Sequence, residues 1–433
     1  MASHTLSWRL LSAYAFPALP LAALTLPAYI YLPSFYAQDL GLGLGVVGGV
    51  LLAARLWDVV TDPLMGWLSD RSYGGLTRRF GRRRPWLIAG APLVMLSAWM
   101  LFAPTGTVGI GYLLAWSGAL YLGWTMMILP LSAMSAELSD DYHQRSRLAG
   151  WREGAALLGT LAALSALALF QSQGHAAALR AVAIGVVLLL PIATACLVWR
   201  VPERTLAALP SPLAPGRAWR ALAANRPFAR LIGAYLLNGF ANGLPATLFL
   251  LFVESRLQAP SYAGPLLFIY FLAGIIAVPV WLRVSARYGK HRTWCAAMIG
   301  SCAAFVAVPF LQPGDVLLFG VICILTGLCL GADLVLPSAM QSDVVDIDSL
   351  HSGARRAGML FALWGMATKM ALALAVGIAF PLLDWAGGAG AMLVALYSLV
   401  PIAFKLAAIS LMWGYPLTAQ AQAQAAARLR EIH

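Results

Sequence analysis

The sequence predicts an all-α integral membrane protein of about twelve transmembrane helices in two pseudo-symmetric six-helix halves. Composition, alternating basic loops and an internal repeat predict it. The 433 residues are 61% hydrophobic and 11% charged, with a mean hydropathy of +0.78; soluble domains carry about a quarter charged residues. The net charge of +12 would suggest a nucleic-acid partner in a soluble chain. Here the basic residues fall in alternate loops, so their placement reports topology, and the expected partners are a lipid bilayer and a small-molecule substrate, with no nucleic acid.

Apolar runs of about 20 residues, enough to cross ~30 Å of hydrocarbon as helices, lie near 10–34, 43–68, 86–104, 109–134, 151–171 and 178–199. A second set lies near 229–253, 262–283, 293–312, 315–340, 357–383 and 389–413. Tyr14, Tyr29 and Tyr31 decorate the first run and Pro17, Pro20 and Pro27 bend it, with core packing as their default role. It lacks a small-residue cleavage site and reads as a retained span. The loop after the second run holds Arg71, Arg78, Arg79, Arg82, Arg83 and Arg84, whereas the one after the third, around Pro104 to Thr107, holds no charge. The contrast continues with Arg145 and Arg147 after the fourth run, Arg200 to Arg230 after the sixth, Arg287, Lys290 and Arg292 after the eighth, and Arg355 and Arg356 after the tenth. The positive-inside rule makes these loops cytoplasmic, puts both termini inside, and implies a multi-pass protein of the cytoplasmic (inner) membrane. All five cysteines lie in apolar segments and read as packing residues rather than as a disulfide framework or a zinc site.

A proline-rich basic stretch, 201–227, divides the chain into bundles at 1–200 and 228–415, followed by a cytoplasmic tail at 416–433. The halves echo each other. Leu129-Pro130-Leu131-Ser132-Ala133-Met134-Ser135-Ala136-Glu137 matches Leu336-Pro337-Ser338-Ala339-Met340-Gln341-Ser342-Asp343, and Arg79-Phe80-Gly81-Arg82-Arg83-Arg84-Pro85-Trp86 matches Arg287-Tyr288-Gly289-Lys290-His291-Arg292-Thr293-Trp294. Six spans repeated in one orientation describe the two halves of a major facilitator fold, in which the transport site is expected between the halves near the midplane.

Charges inside apolar segments point to the chemistry. Each costs ~2.5–3.5 kcal/mol at the bilayer centre even on a lenient scale. Arg55, Asp58 and Asp62 stand at i, i+3 and i+7, one face of a helix. Two carboxylates a turn apart can share a small hard cation or hold a proton; the alternative is an internal ion pair with Arg55 that docks helices. Lys369 is a lone cation in the run Leu360 to Thr368 and needs a carboxylate partner unless it snorkels. Arg152 suits a carboxylate, a phosphate or vicinal hydroxyls, or else acts as a gate at the edge of its span. Asp333 reads as a cavity acid, and Asn238 and Asn242, four apart on one face, suit either solute contact or interhelical hydrogen bonds. Asp70, Arg71 and the arginines to Arg84, with Glu137, Arg145, Arg147, Asp343, Arg355 and Arg356, read as a cytoplasmic gate of ion pairs and as a topology signal.

At Trp57-Asp58 through Asp62-Pro63-Leu64-Met65-Gly66-Trp67-Leu68-Ser69-Asp70-Arg71, followed by Gly81-Arg82-Arg83-Arg84-Pro85-Trp86, the chain resembles the glycoside–pentoside–hexuronide:cation symporter family over nearly its whole length. The resemblance implies symport by alternating access of a small, glycoside-like solute with H+ or Na+. It implies a cation site at Asp58 and Asp62, a hydroxyl ligand at Thr125, Lys369 near that site, Arg152 in the substrate region, and cavity-lining polar residues at Asn238 and Asn242. No cofactor and no metal beyond a transported Na+ is implied, and a monomer suffices.

The chain also departs from the family's sugar carriers. Phe16-Pro17-Ala18-Leu19-Pro20 lacks their first-span acid, Ile128 replaces a fourth-span acid, and Ser132 and Leu334 stand where they have tryptophans. Losing hydroxyl acceptors and flat aromatic faces argues against a sugar of that type. An amphiphilic anion such as a lysolipid is therefore the alternative solute, and the missing fourth-span oxygen ligand tilts the coupling ion toward protons. A non-transporting receptor on the same fold is a third reading. A membrane enzyme is not expected: neither H-E-x-x-H nor G-x-S-x-G occurs, and the six histidines, His4, His143, His175, His291, His351 and His433, lie at ends and in loops.

Overall fold

A computed structural model describes residues 6–71, 80–106, 108–170, 173–203, 225–352, 356–386 and 390–432. The described chain is helical. The first segment contains α1 (Trp8–Ala15) and α2 (Ala18–Ala23) and continues through π-helical turns at Pro27–Tyr31 and Phe35–Asp39. Prolines 17, 20, 27 and 33 remove amide donors and force these breaks. The helices α3 (Leu44–Ser69), α4 (Arg84–Phe102), α5 (Ile110–Leu138), α6 (Tyr142–Phe170) and α7 (His175–Arg200) follow. After the linker come α8 (Arg226–Leu251), α9 (Ala263–Tyr288), α10 (Lys290–Phe305), α11 (Val316–Ser352), α12 (Ala357–Trp385), α13 (Val400–Met412) and α14 (Ala419–Ile432). Arg78, Arg79 and Arg355, and most of the expected linker, lie outside the described residues, as does the side chain of Arg55.

Ten helical stretches among the described residues are long and apolar enough to cross a membrane. They correspond to the third through twelfth predicted spans. The remaining two are the proline-broken first segment and α3, which carries three charges.

The chain separates into two compact units. One comprises Met1–Leu213 with Gly353–Leu363, and the other Ala214–Ser352 with Trp364–Ile432. In the first, α4 packs on α5 and α7, α3 on α5, and α2 on α6, around a core that includes Leu11, Tyr14, Leu21, Val94, Phe102 and Met127. In the second, α9 and α10 pack on α11, and α8 packs on α13. Phe252 stacks on Tyr397 there at 4.3 Å. The internal repeat reappears in backbone geometry, since the first segment of each half ends in a π turn: Leu40 N–H donates to Phe35 O, and Leu257 N–H to Phe252 O.

The α3 helix is turned inside out relative to a soluble helix. Leu52, Trp57, Val60 and Leu64 are exposed, while Asp58, Thr61 and Asp62 are buried, the arrangement expected where the surroundings are apolar and polar groups must be satisfied within the protein.

Backbone contact fixes α9 against α11. Gly327 and Gly331, spaced as G-x-x-x-G, lie over the carbonyls of Tyr270 and Gly274, and a Cβ on Gly331 would stand 2.7 Å from Gly274 O. Small residues at this spacing let helix backbones approach where no hydrophobic effect drives association. Gly327→Leu is expected to cost at least ~1–3 kcal/mol through overpacking, read as a lowered melting temperature of the detergent-purified protein; an unchanged melting temperature would refute the close approach.

Candidate functional site

Asp58, Thr61 and Asp62 share the buried face of α3, exposed by only 4%, 3% and 3%. From α5, Thr125 donates its hydroxyl proton to Asp62 Oδ1 at 2.8 Å. Thr61 was not anticipated from the sequence; its buried Oγ1 has no hydrogen-bond partner. Two carboxylates and one hydroxyl therefore line the buried face of α3, with a second hydroxyl against Asp62 from α5, hard-oxygen groups of the kind that suit a small cation or a proton. No cluster of three or more metal-ligating His, Cys, Asp or Glu occurs among the described residues.

Arg152 on α6 is buried, and its guanidinium bonds Glu153 Oε1. The two are neighbours in sequence and leave the helix about 100° apart, yet both side chains are long enough to curl together. The buried Tyr14 hydroxyl lies beside Arg152 and donates to Leu131 O at 3.0 Å. The tyrosine of the first segment thus does more than pack: it reaches the arginine that the sequence placed near the solute.

In the second unit, residues expected to act separately form one cluster. Asp333 Oδ1 accepts from Trp294 Nε1 at 2.7 Å, and its Oδ2 accepts from Asn242 Nδ2 at 3.1 Å and from Lys405 Nζ at 3.3 Å. Lys405 also donates to Asn238 Oδ1 at 2.8 Å. Four helices, α8, α10, α11 and α13, thereby meet on one carboxylate. Lys405 is 0% exposed and was missed in the sequence, although Pro401-Ile402-Ala403-Phe404-Lys405-Leu406-Ala407 carries the same signal as Lys369, a lone cation in an apolar run. Lys369 itself is half-buried on α12. One turn from the cluster, Tyr235 stacks on Trp364 at 3.7 Å, and its hydroxyl pairs with Thr368 Oγ1 at 3.0 Å.

Several residues that the sequence marked for a gate form ion pairs: Arg82 and Arg83 both bind Glu137, and Arg83 also binds Asp70 at 2.7 Å. Arg71 lies over the Trp67 ring, and Arg84 donates to Val201 O. Burial opposes the Arg83 charge, but the Glu137 and Asp70 carboxylates more than offset it and hold its pKa above the ordinary value. Asp70 also accepts from the Gly358 and Met359 amides at 2.9 Å, capping the start of α12. Lys290 and Asp343 form the matching pair of the other half at 2.5 Å, so the sequence echo is an echo of ion pairs. Arg145 donates to the carbonyls of Ser139 and Ala136, and Arg147 to Gln144; Arg356 is buried. Glu203, also unanticipated, accepts from the amides of Arg82, Arg83 and Arg84 and caps α4.

An all-α membrane protein with carboxylates and hydroxyls buried in one unit and a compensated ion pair in the other is a multi-pass carrier rather than an enzyme. A family profile described as MFS/sugar transport protein matches residues 13–419, and the chain belongs to that family; it is thus a secondary-active transporter of a small solute. It is 24% identical to an uncharacterized symporter of a Synechocystis species, over 79% of each chain. It is 24% identical to sodium-dependent lysophosphatidylcholine symporter 1 of Homo sapiens, over 78% of this chain and 68% of the relative. It is 25% identical to the putative glycoside/cation symporter YagG of Escherichia coli, over 78% and 75%. Among solved structures, the major facilitator transporter FucP matches with a TM-score of 0.70 at 13% identity, covering 95% of this chain and 98% of that one. A bacterial homologue of ferroportin matches with a TM-score of 0.70 at 16% identity, over 94% and 98%. These likenesses establish the fold.

Glu137→Ala strands the buried Arg83 with one carboxylate fewer and is expected to cost ~3–5 kcal/mol. Thermal unfolding of the purified variant checks this, and a melting temperature equal to that of the unsubstituted protein would refute it.

Proposed function

We propose that the protein is a cation-coupled symporter of the glycoside–pentoside–hexuronide:cation type that has exchanged the sugar for an amphiphile with an anionic head, such as a lysolipid. The observation that carries the choice of solute is the acid-free stretch before Asp39 in the first segment: no Asp or Glu occurs between Leu6 and Gln38, and the buried polar group beside Arg152 from that stretch is the Tyr14 phenol. Sugar hydroxyls need acceptors, whereas an anionic head needs cations with apolar walls around the rest of the molecule. The lysolipid symporters among the relatives support this reading. The sugar description of the family and the glycoside relative support the alternative solute.

Coupling is assigned to Asp58, Thr61, Asp62 and Thr125, with Arg152 and Lys369 as the cationic groups for the head. The bound ion is cargo, H+ or Na+, that neutralises the α3 carboxylates while the solute moves.

Uptake into proteoliposomes of a lysolipid and of a nitrophenyl glycoside, under imposed Na+ or H+ gradients, tests the reading. Gradient-driven accumulation of the lysolipid is expected, falling about a hundredfold in Asp62→Asn as the coupling ligand is lost. Glycoside uptake in preference to lysolipid would return the chain to its sugar-carrying relatives. Saturable binding with no flux of either would make it a receptor.

A further inference from the structure

Trp8-Arg9 opens α1 and Trp199-Arg200 closes α7, and the two helices pack on each other within the first unit. Between these ends lies a cavity of about 600 Å³, lined by Ser7, Trp8, Arg9, Leu10 and Arg200. Two arginines thus share one hollow that holds no counter-charge. Neither α1 nor α7 contains an Asp or Glu. Among the described residues, neither Arg9 nor Arg200 has a carboxylate partner. The acids at this end of the unit are committed elsewhere. Glu203 accepts from the amides of Arg82, Arg83 and Arg84, and Asp141 from those of His143 and Gln144. Asp70 and Glu137 hold Arg82 and Arg83, and Asp140 is likewise engaged. A third guanidinium stands close to the start of α1, because Gln144 Oε1 accepts from Leu6 N–H at 3.3 Å and from Arg147 Nη1 at 2.9 Å.

Two indoles flank the arginines. Trp8 is 64% exposed and Trp199 85%. Rings so bare are unfavourable in water, but the headgroup level of a bilayer accommodates both their apolar faces and their N–H groups. The 26 residues of α7 extend ~39 Å at 1.5 Å per residue, more than the ~30 Å of hydrocarbon, so a helix end reaches that level. Arg84 donates to Val201 O at 2.7 Å, which sets the hollow beside the basic loop that carries Arg82, Arg83 and Arg84. By the positive-inside rule that side is cytoplasmic, and its leaflet bears anionic lipid.

We propose that the hollow binds the headgroup of an anionic phospholipid of the phosphatidylglycerol class, with Arg9 and Arg200 on the phosphate diester and Trp8 and Trp199 beside the upper acyl chains. Guanidinium forks match phosphate oxygens. A glycerol headgroup adds hydroxyls and no charge, whereas an ethanolamine headgroup brings an ammonium in among arginines. The bound lipid bridges the first and last helices of the six-helix half. The site uses none of the residues assigned to coupling or to the solute, and the proposal does not depend on what the protein carries.

The experiment measures lipid dissociation constants of the full-length protein by native mass spectrometry from detergent, with phosphatidylglycerol and phosphatidylethanolamine of the same acyl chains. Phosphatidylglycerol is expected to bind about tenfold more tightly. Arg9→Gln with Arg200→Gln is expected to weaken it about tenfold and to erase the preference. Arg283→Gln with Arg287→Gln removes the same charge from the exposed end of α9 in the second unit and is expected to leave the constant within about twofold. Unchanged binding in the first double variant, or equal loss in both, overturns the proposal, the latter by making the attraction a general property of the basic surface. Equal affinity of the unsubstituted protein for the two lipids overturns it as well, and so does displacement of phosphatidylglycerol by glycerol 3-phosphate, which would make the hollow a site for soluble phosphates. These last two readings need no variant and stand even where a variant fails to fold.

Discussion

The constraint on which this molecule turns is that a charge inside an apolar segment must be neutralised by something within reach. Water is not available to do it, and the desolvation penalty is a large fraction of any helix's stability. The first unit answers the constraint in part with a dipole: the Thr125 hydroxyl donates to Asp62. The second meets it outright at Asp333, where an ammonium, an indole and an amide converge.

The same constraint shapes the helix ends. Charges there pair in networks: Arg82 and Arg83 with Asp70 and Glu137 in one half, Lys290 with Asp343 in the other. Buried pairs of this kind add little net stability compared with apolar packing, but they penalise every arrangement in which one partner is left alone. That is the behaviour required of contacts which specify a conformational state and are exchanged when the state changes.

Much of this was legible in the residues. Apolar run lengths and alternate basic loops located the helices, because hydrocarbon thickness and the positive-inside rule act on local sequence. The α3 face was legible because i, i+3 and i+7 are a property of one helix. What escaped was whatever depended on several helices meeting. Asp333, Asn238 and Asn242 were marked individually, but nothing in their spacing joins α8 to α11 or brings Lys405 to both. Thr61 escaped because an unbranched reading of acids and bases passes over a hydroxyl until its burial is seen. Arg82 and Arg83 stood in a run of arginines whose members are equivalent as charges and differ only in what each one reaches.

Glu203 lies just past the end of α7, yet it accepts from the amides of Arg82, Arg83 and Arg84 at the entry to α4, and Gly81, with φ +82°, leaves no room there for a side chain. The polypeptide thus leaves the first half from a welded joint and not from a fraying helix end. A pull arriving at Glu203 would pass directly through the Arg83 amide to its guanidinium and on to Asp70 and Glu137. The first half has, in mechanical terms, a handle attached to its own ion-pair network.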